Sequence, residues 1–260
     1  MRVALCLVGS FLRKHTISNT IKNIFKSESI DVDVYLVTTM KMNEFDEIDN
    51  CNIENIKQIL YNFGFKNVKI KILNHNFKYF YDICKEKGYM NLSNPSPARM
   101  LSFAYSVSEC FNLIENTYNY LVMSRYDYLD EINITNGLEN LLLKLNNKTI
   151  LGELYYKNCV HDLLICGNFN DIIELKNYYS VFWENIEYLQ KNPITIENNI
   201  FDNEQMLTNF LKVYGKIENI IHWNDVINTH EICSFHSFKP NYNKYSNEFQ
   251  NLLTNLIENK

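Results

Sequence analysis

Within the first 73 residues, short apolar runs alternate with helical spacings, and that alternation constrains the fold more than any other feature of the chain. Val3-Ala4-Leu5-Cys6-Leu7-Val8 is a continuous apolar run that stops at Gly9-Ser10. Such a run marks a strand buried on both faces and leading into a loop. Ile17, Ile21, Ile24 and Phe25 then recur at helical spacing. Val32-Asp33-Val34-Tyr35-Leu36-Val37 gives a second strand ending in Thr38-Thr39, and Ile53, Ile56, Ile59, Leu60 and Phe63 line one face of a helix closed by Gly64. Val68-Lys69-Ile70-Lys71-Ile72 alternates strictly, which places it nearer a sheet edge. A β-α-β-α-β series needs crossovers. The expected sheet is therefore mostly parallel with helices on both faces, and its ligand crevice lies beyond the carboxyl ends of the strands.

Residues 74–97 are aromatic and polar without clear period, and read as an irregular surface excursion. From Pro97, a long amphipathic helix runs through Met100, Leu101, Ala104, Val107, Phe111 and Ile114, and Tyr120-Leu121-Val122-Met123 is a fourth strand. Leu138, Leu141, Leu142 and Leu145 make a short helix, and Thr149-Ile150-Leu151 and Leu163-Leu164-Ile165-Cys166 two more strands, the latter closed by Gly167. Phe169, Ile172, Ile173, Tyr179, Phe182 and Trp183 read as one helix. A last helix opens at Asp202-Asn203-Glu204, with acids in its first turn as the helix dipole prefers, and continues through Met206, Leu207, Phe210 and Leu211. The tail from His222 lacks periodicity, so the expected organisation is one domain over residues 1–221 with residues 222–260 packed on it.

A hydrophobic share of 46%, with 7 Gly and 4 Pro among 260 residues, supports a packed core and excludes a disordered or linker-like chain. Against 30 acidic residues, 25 basic ones leave a net charge of -5, so no global field draws in nucleic acid, while a local phosphate pocket stays open. The 7 cysteines never form a C-x-x-C pair, which points to a reducing, cytoplasmic setting. No run of about 18 apolar residues exists to span a membrane. The opening segment behind Arg2 imitates a signal peptide, but Arg13-Lys14 follows at once and no small-x-small site appears, so a buried first strand is expected.

Chemistry gathers where strands end. Arg125-Tyr126-Asp127 closes the fourth strand, where polar side chains leave the sheet into the crevice. A carboxylate there suits a divalent metal on a diphosphate and the guanidinium suits phosphate; an Arg-Asp pair that merely caps the sheet fits the position equally well. At the first strand end, Gly9, Ser10 and Arg13 offer backbone N–H groups, a hydroxyl and a guanidinium to a nucleotide, or form a simple turn with a solvated Arg. Neither G-x-G-x-x-G nor a P-loop is present. Asp162, in His161-Asp162, suits a general base or a backbone cap, and helix capping accounts for Glu204. His222, His230 and His236 are scattered candidate ligands. The absence of G-x-S-x-G, H-E-x-x-H and a papain-type Cys context argues against hydrolases of those classes.

Taken in order, these segments resemble a family of bacterial and large-virus glycosyltransferases of the GT-A type. The carriers are the opening strand to Gly9-Ser10 with Arg13, the strand Asp33-Val34-Tyr35-Leu36-Val37-Thr38-Thr39, and Tyr120 through Asp127, which ends in an Arg-x-Asp variant of Asp-x-Asp. His161-Asp162-Leu163-Leu164-Ile165-Cys166-Gly167 is similar to the family's Asp-Asp-x-x-x-x-Gly, and Asn203-Glu204-Gln205-Met206-Leu207 completes the pattern. The resemblance spans residues 1–211 and rests on order and spacing.

The resemblance implies an α/β, GT-A-like, Rossmann-type, mostly parallel sheet flanked by helices in a single domain. It implies a hexosyl- or deoxyhexosyl-transferase moving a sugar from a nucleoside-diphosphate sugar to an acceptor hydroxyl in polysaccharide or glycan synthesis. Gly9, Ser10, Arg13 and Thr38 would lie near the nucleotide. Arg99 would reach toward the diphosphate or stand exposed at its helix start. Asp127 would bind Mn2+ or Mg2+, with His236 completing the shell in preference to His222 or His230. Arg125 would contact phosphate or sugar, and Asp162 would deprotonate the acceptor. Two positions depart from the pattern: Arg125 and His161 each replace the first acid of a pair, so the Arg125 guanidinium would supply part of the cation's charge. The alternatives are an inert carbohydrate-binding domain that kept the fold, and a nucleotidyltransferase on a related sheet.

Overall fold

The opening apolar run forms β1 (Arg2–Ser10), in which every residue from Val3 to Val8 is fully buried. A computed structural model describes residues 1–10, 30–39, 53–62, 64–75, 77–89, 96–125, 142–143, 145–155, 159–192 and 203–222 of the chain. β1 pairs in parallel with β2 (Asp31–Thr39), and β2 with β3 (Asn67–Leu73), whose alternating exposure marks it as the edge the sequence predicts. On its other side β1 pairs in parallel with β4 (Tyr120–Arg125). The remaining strands are β5 (Thr149–Tyr155), β6 (Cys159–Asn168) and β7 (Asn219–His222).

The seven described strands form one sheet in the order β3-β2-β1-β4-β6-β5-β7. β6 is antiparallel to both β4 and β5, and β7 is parallel to β5, so β6 alone runs against the others. The fold is thus the expected α/β, mostly parallel sheet flanked by helices, with one reversed strand.

Both faces are covered. α1 (Ile53–Asn62) lies against β3 and buries Ile56 and Leu60. On the opposite face α3 (Ser96–Phe111) crosses β1 and β2 and packs on α2 (Phe77–Glu86). Further along the chain come α4 (Phe169–Ile172), a 3-10 turn (Ile173–Asn177), α5 (Phe182–Lys191) and α6 (Asn203–Val213). Ala4, Cys6, Val8, Tyr35, Val37, Leu121 and Met123 from the sheet join Phe80, Val107, Phe111, Phe182 and Phe210 from the helices in a single core.

Two expectations are corrected. Residues 74–97 contain α2, because Phe77, Phe80, Tyr81 and Cys84 recur at helical spacing and the last three are buried. His75 stacks on Tyr79 at 4.2 Å and Phe80 meets Tyr105 at 5.6 Å, so rings that suggested an irregular loop fasten α2 to α3. The single helix expected from Phe169 to Trp183 breaks into α4, the 3-10 turn and α5. The buried Ser108 hydroxyl of α3 accepts the Tyr179 N–H at 2.9 Å and donates to the Leu175 carbonyl at 3.4 Å, diverting two backbone groups from a continuous helix. The helix predicted from Ile17 to Phe25, and residues 223–260, lie outside the described residues. No described helix is long and apolar enough to cross a membrane.

Candidate functional site

Because β6 is reversed, its amino end returns to the edge where β1, β2 and β4 finish. Gly9 pairs with Thr38, Val8 with Arg125, and Ser124 with Leu164. Thr38, Gly9, Arg125 and the backbone of Asp162 therefore stand on four adjacent strands, across about 14 Å at the usual strand spacing. This is the carboxyl edge at which parallel sheets hold their ligands.

The local chemistry of that edge follows from its residues. Gly9 has a φ of 136°, a backbone conformation open to glycine and strained for other residues, and it leaves no side chain at the centre of the edge. Ser10 ends β1 in register with Thr39. Thr38 is buried, so its side chain stands beneath the edge, whereas Arg125 is partly exposed at the end of β4. The buried Ser124 hydroxyl donates to the Arg125 carbonyl at 3.1 Å. Arg99 is exposed in the first turn of α3.

β6 shifts its register with β5 where it reaches this edge. Between the pairs Gly152↔Ile165 and Leu154↔Val160, one residue of β5 faces residues 161–164 of β6. Among the described residues, 161–163 have no register partner on β5, so the backbone of His161 and Asp162 lies on a bulge relative to that strand, a device found beside ligand sites. The expectation that these two residues precede the strand is thereby refined: they lie within it, on its irregular part.

The sequence reading missed the support of this bulge. Residues 205–211 of α6 are all buried, yet Gln205, Thr208 and Asn209 are polar and share one helical face. The Thr208 hydroxyl accepts the Val160 N–H at 2.7 Å. Asn185 of α5 donates to the Met206 carbonyl at 2.8 Å and accepts from Asn209. Three polar residues at i, i+3 and i+4 within an apolar helix were the available signal.

Arg13, Asp127, His230 and His236 lie outside the described residues, and His222 ends β7 beside Gly152. Among the described residues no three His, Cys, Asp or Glu side chains group to hold a metal. Burial pushes the Cys6, Cys84 and Cys166 thiols up, Cys84 to about 12, which keeps them protonated at neutral pH and unsuited to nucleophilic work. A groove of about 780 Å3 between α1 and β3 is lined by Ile53, Val68, Ile70, Ile72 and Leu113. Its lysines are paired, Lys57 with Glu54 at 3.1 Å and Lys69 with Glu115 at 2.7 Å.

No protein-family model and no curated protein matches the chain. Among solved structures, the apo form of mouse xyloside xylosyltransferase 1 is similar, with 7% identity, a TM-score of 0.43, and coverage of 84% of this chain and 83% of that one. At that identity the likeness concerns the path of the backbone only.

Proposed function

We propose that the chain is a glycosyltransferase that moves a hexosyl or deoxyhexosyl group from a nucleoside-diphosphate sugar to a hydroxyl of a glycan or polysaccharide, acting in the cytoplasm. The observation that carries the reading is the alignment of Thr38, Gly9, Arg125 and Asp162 on four adjacent strand ends, with the acid delivered by the one reversed strand. Gly9, Ser10, Thr38 and Arg125, from segments that resemble the GT-A family, are among the residues at those strand ends, which adds support.

In the reaction a bond forms between the acceptor oxygen and the anomeric carbon, while the bond from that carbon to the β-phosphate oxygen breaks and the nucleoside diphosphate leaves. Asp162 takes the acceptor proton. The Arg125 guanidinium offsets the charge that grows on the departing phosphate. Gly9, Ser10 and Arg13 hold the nucleotide, with Thr38 supporting them from below and Arg99 facing the diphosphate. Asp127 and His236 are the residues we assign to a divalent cation, Mn2+ or Mg2+, which when bound supplies further positive charge to the diphosphate.

The test is a thermal-shift panel of UDP, GDP, CDP and dTDP and their sugars, each with Mn2+, Mg2+ or chelator. A ligand at about 100 times its Kd adds roughly 2.7 kcal/mol to the native state. Selective stabilisation by one nucleoside diphosphate, with turnover of its sugar abolished in Asp162→Asn and Asp127→Ala at unchanged Tm, is the expected result. No response to any nucleotide, with binding of free glycan instead, would replace the transferase by an inert carbohydrate-binding domain.

A further inference from the structure

We propose that Thr208 is a positioning residue, which anchors the bulge of β6 through the Val160 N–H and so sets where Asp162 stands at the carboxyl edge. The proposal rests on the assignment of Asp162 as the acceptor base. Val160 is in register with Leu154 of β5, and the register then shifts over residues 161–164 before Ile165 meets Gly152. Its N–H goes to the fully buried Thr208 hydroxyl at 2.7 Å. Its side chain lies over Gly152, where an added Cβ would meet Val160 Cγ1 at 3.1 Å. Val160 is thus clamped from two elements, two residues before Asp162.

The clamp is in turn fixed to the scaffold. Asn185 of α5 bonds the Met206 carbonyl of α6 at 2.8 Å and takes a hydrogen bond from Asn209, so α6 is tied to α5 on either side of Thr208 in sequence. A bulge disrupts the ladder locally, so the residues that hold its ends help to set its path. A single charge-neutral hydrogen bond at one end, backed by buried polar pairs, supplies that hold without placing any ionic group near the acid.

The experiment uses the full chain with Thr208→Val, which keeps the shape and removes the acceptor, and Thr208→Ser, which restores it. Gly152→Ala presses on Val160 from the other side and leaves Thr208 in place. Amide exchange at Val160 is read by NMR, and hydrolysis of the nucleotide sugar selected by the panel is read as kcat and KM. In Thr208→Val we expect Val160 protection to fall by about tenfold to a hundredfold. We expect kcat to fall by at least about tenfold with KM unchanged, because a base displaced by a fraction of an ångström loses rate rather than affinity. Thr208→Ser should recover both, and Gly152→Ala should lower kcat while Val160 stays protected. Retained Val160 protection in Thr208→Val, or parental kcat in both Thr208→Val and Gly152→Ala, overturns the proposal. A parent that hydrolyses no donor, with Val160 protected, overturns instead the reading of Asp162 as base, and the role of Thr208 falls with it.

Discussion

The Tyr118 hydroxyl donates to the Asp33 carboxylate at 2.6 Å beneath the amino edge of the sheet, the end opposite the crevice. Because that carboxylate only accepts and Tyr118 has one proton, the 2.6 Å contact between the Tyr35 and Tyr118 hydroxyls has Tyr35 as donor. Asn67 donates to the other Asp33 oxygen at 2.6 Å, and Arg2 approaches Asp33 at 3.4 Å while lying over the Tyr118 ring at 4.9 Å. This network joins β1, β2, β3 and the approach to β4 at one end of the sheet. Tyr118→Phe leaves a buried carboxylate oxygen and the Tyr35 hydroxyl short of a partner, and should lower stability by about 1–3 kcal/mol. Urea unfolding will read this as a lower midpoint at constant m, and an unchanged midpoint would mean that Arg2 alone satisfies the Asp33 oxygen that Tyr118 leaves.

Alkaline instability should follow from the same burial. Burial pushes the Tyr118, Tyr35, Cys84 and Cys166 acids up, with Cys84 rising from 9.0 to about 12. A raised acid is still protonated in the folded chain at a pH where the unfolded chain has lost that proton, so the unfolded state binds fewer protons. Its stabilisation is complete below the unfolded pKa and is lost as pH rises toward the folded one. For Cys84 that window runs from 9.0 to about 12. Urea midpoints should hold level up to about pH 8.5 and fall steadily above it, and Cys84→Ala should make the fall shallower. A midpoint constant across the window would show that these groups ionise at the same pH in the folded and unfolded chain.

At the far end of β6 the packing leaves no room for one methyl group. A Cβ on Gly167 would meet Ile172 Cδ1 at 2.6 Å and Ile150 Cγ2 at 3.1 Å, and both isoleucines are fully buried. Gly167→Ala should therefore destabilise by about 1–3 kcal/mol. Ile172→Val removes the Cδ1 that clashes, so the double variant should lose less than the sum of the two single losses. Strict additivity in chemical denaturation would locate the strain elsewhere.

The first four strands were legible because each carries its own signal. Val3 to Val8 is apolar on both faces, Val32 to Val37 nearly so, and Val68 to Ile72 alternates as an edge strand must. The strand ends followed, and with them the placement of Gly9 and Arg125 at one edge. The reversal of β6 was not legible: Leu163 to Cys166 has the same apolar character read in either direction, and direction is set by partners in space. The bulge depends likewise on a hydrogen bond to Thr208, 48 residues away. α2 was hidden because Phe77, Tyr79, Phe80 and Tyr81 blur the helical period with aromatic residues on both sides. β7 is four residues long, too short for any pattern to stand out.

Gly9 joins the fold to the proposed chemistry in one backbone torsion. Its φ of 136° belongs to a region that other residues enter only under strain, yet it keeps register with Thr38. Gly9→Ala should cost about 1–3 kcal/mol of stability in urea unfolding. It should also weaken the thermal-shift response to the nucleoside diphosphate beyond what the lowered Tm explains, because Gly9 pairs with Thr38 and follows the Val8–Arg125 pair at the edge where the ligand is proposed to lie. Ser10→Ala, which leaves that torsion unchanged, should keep stability within about 0.5 kcal/mol and serves as the control for the stability loss alone. A Gly9→Ala variant with full nucleotide response and lowered stability would make this glycine a feature of strand geometry alone, and would move the nucleotide away from the end of β1.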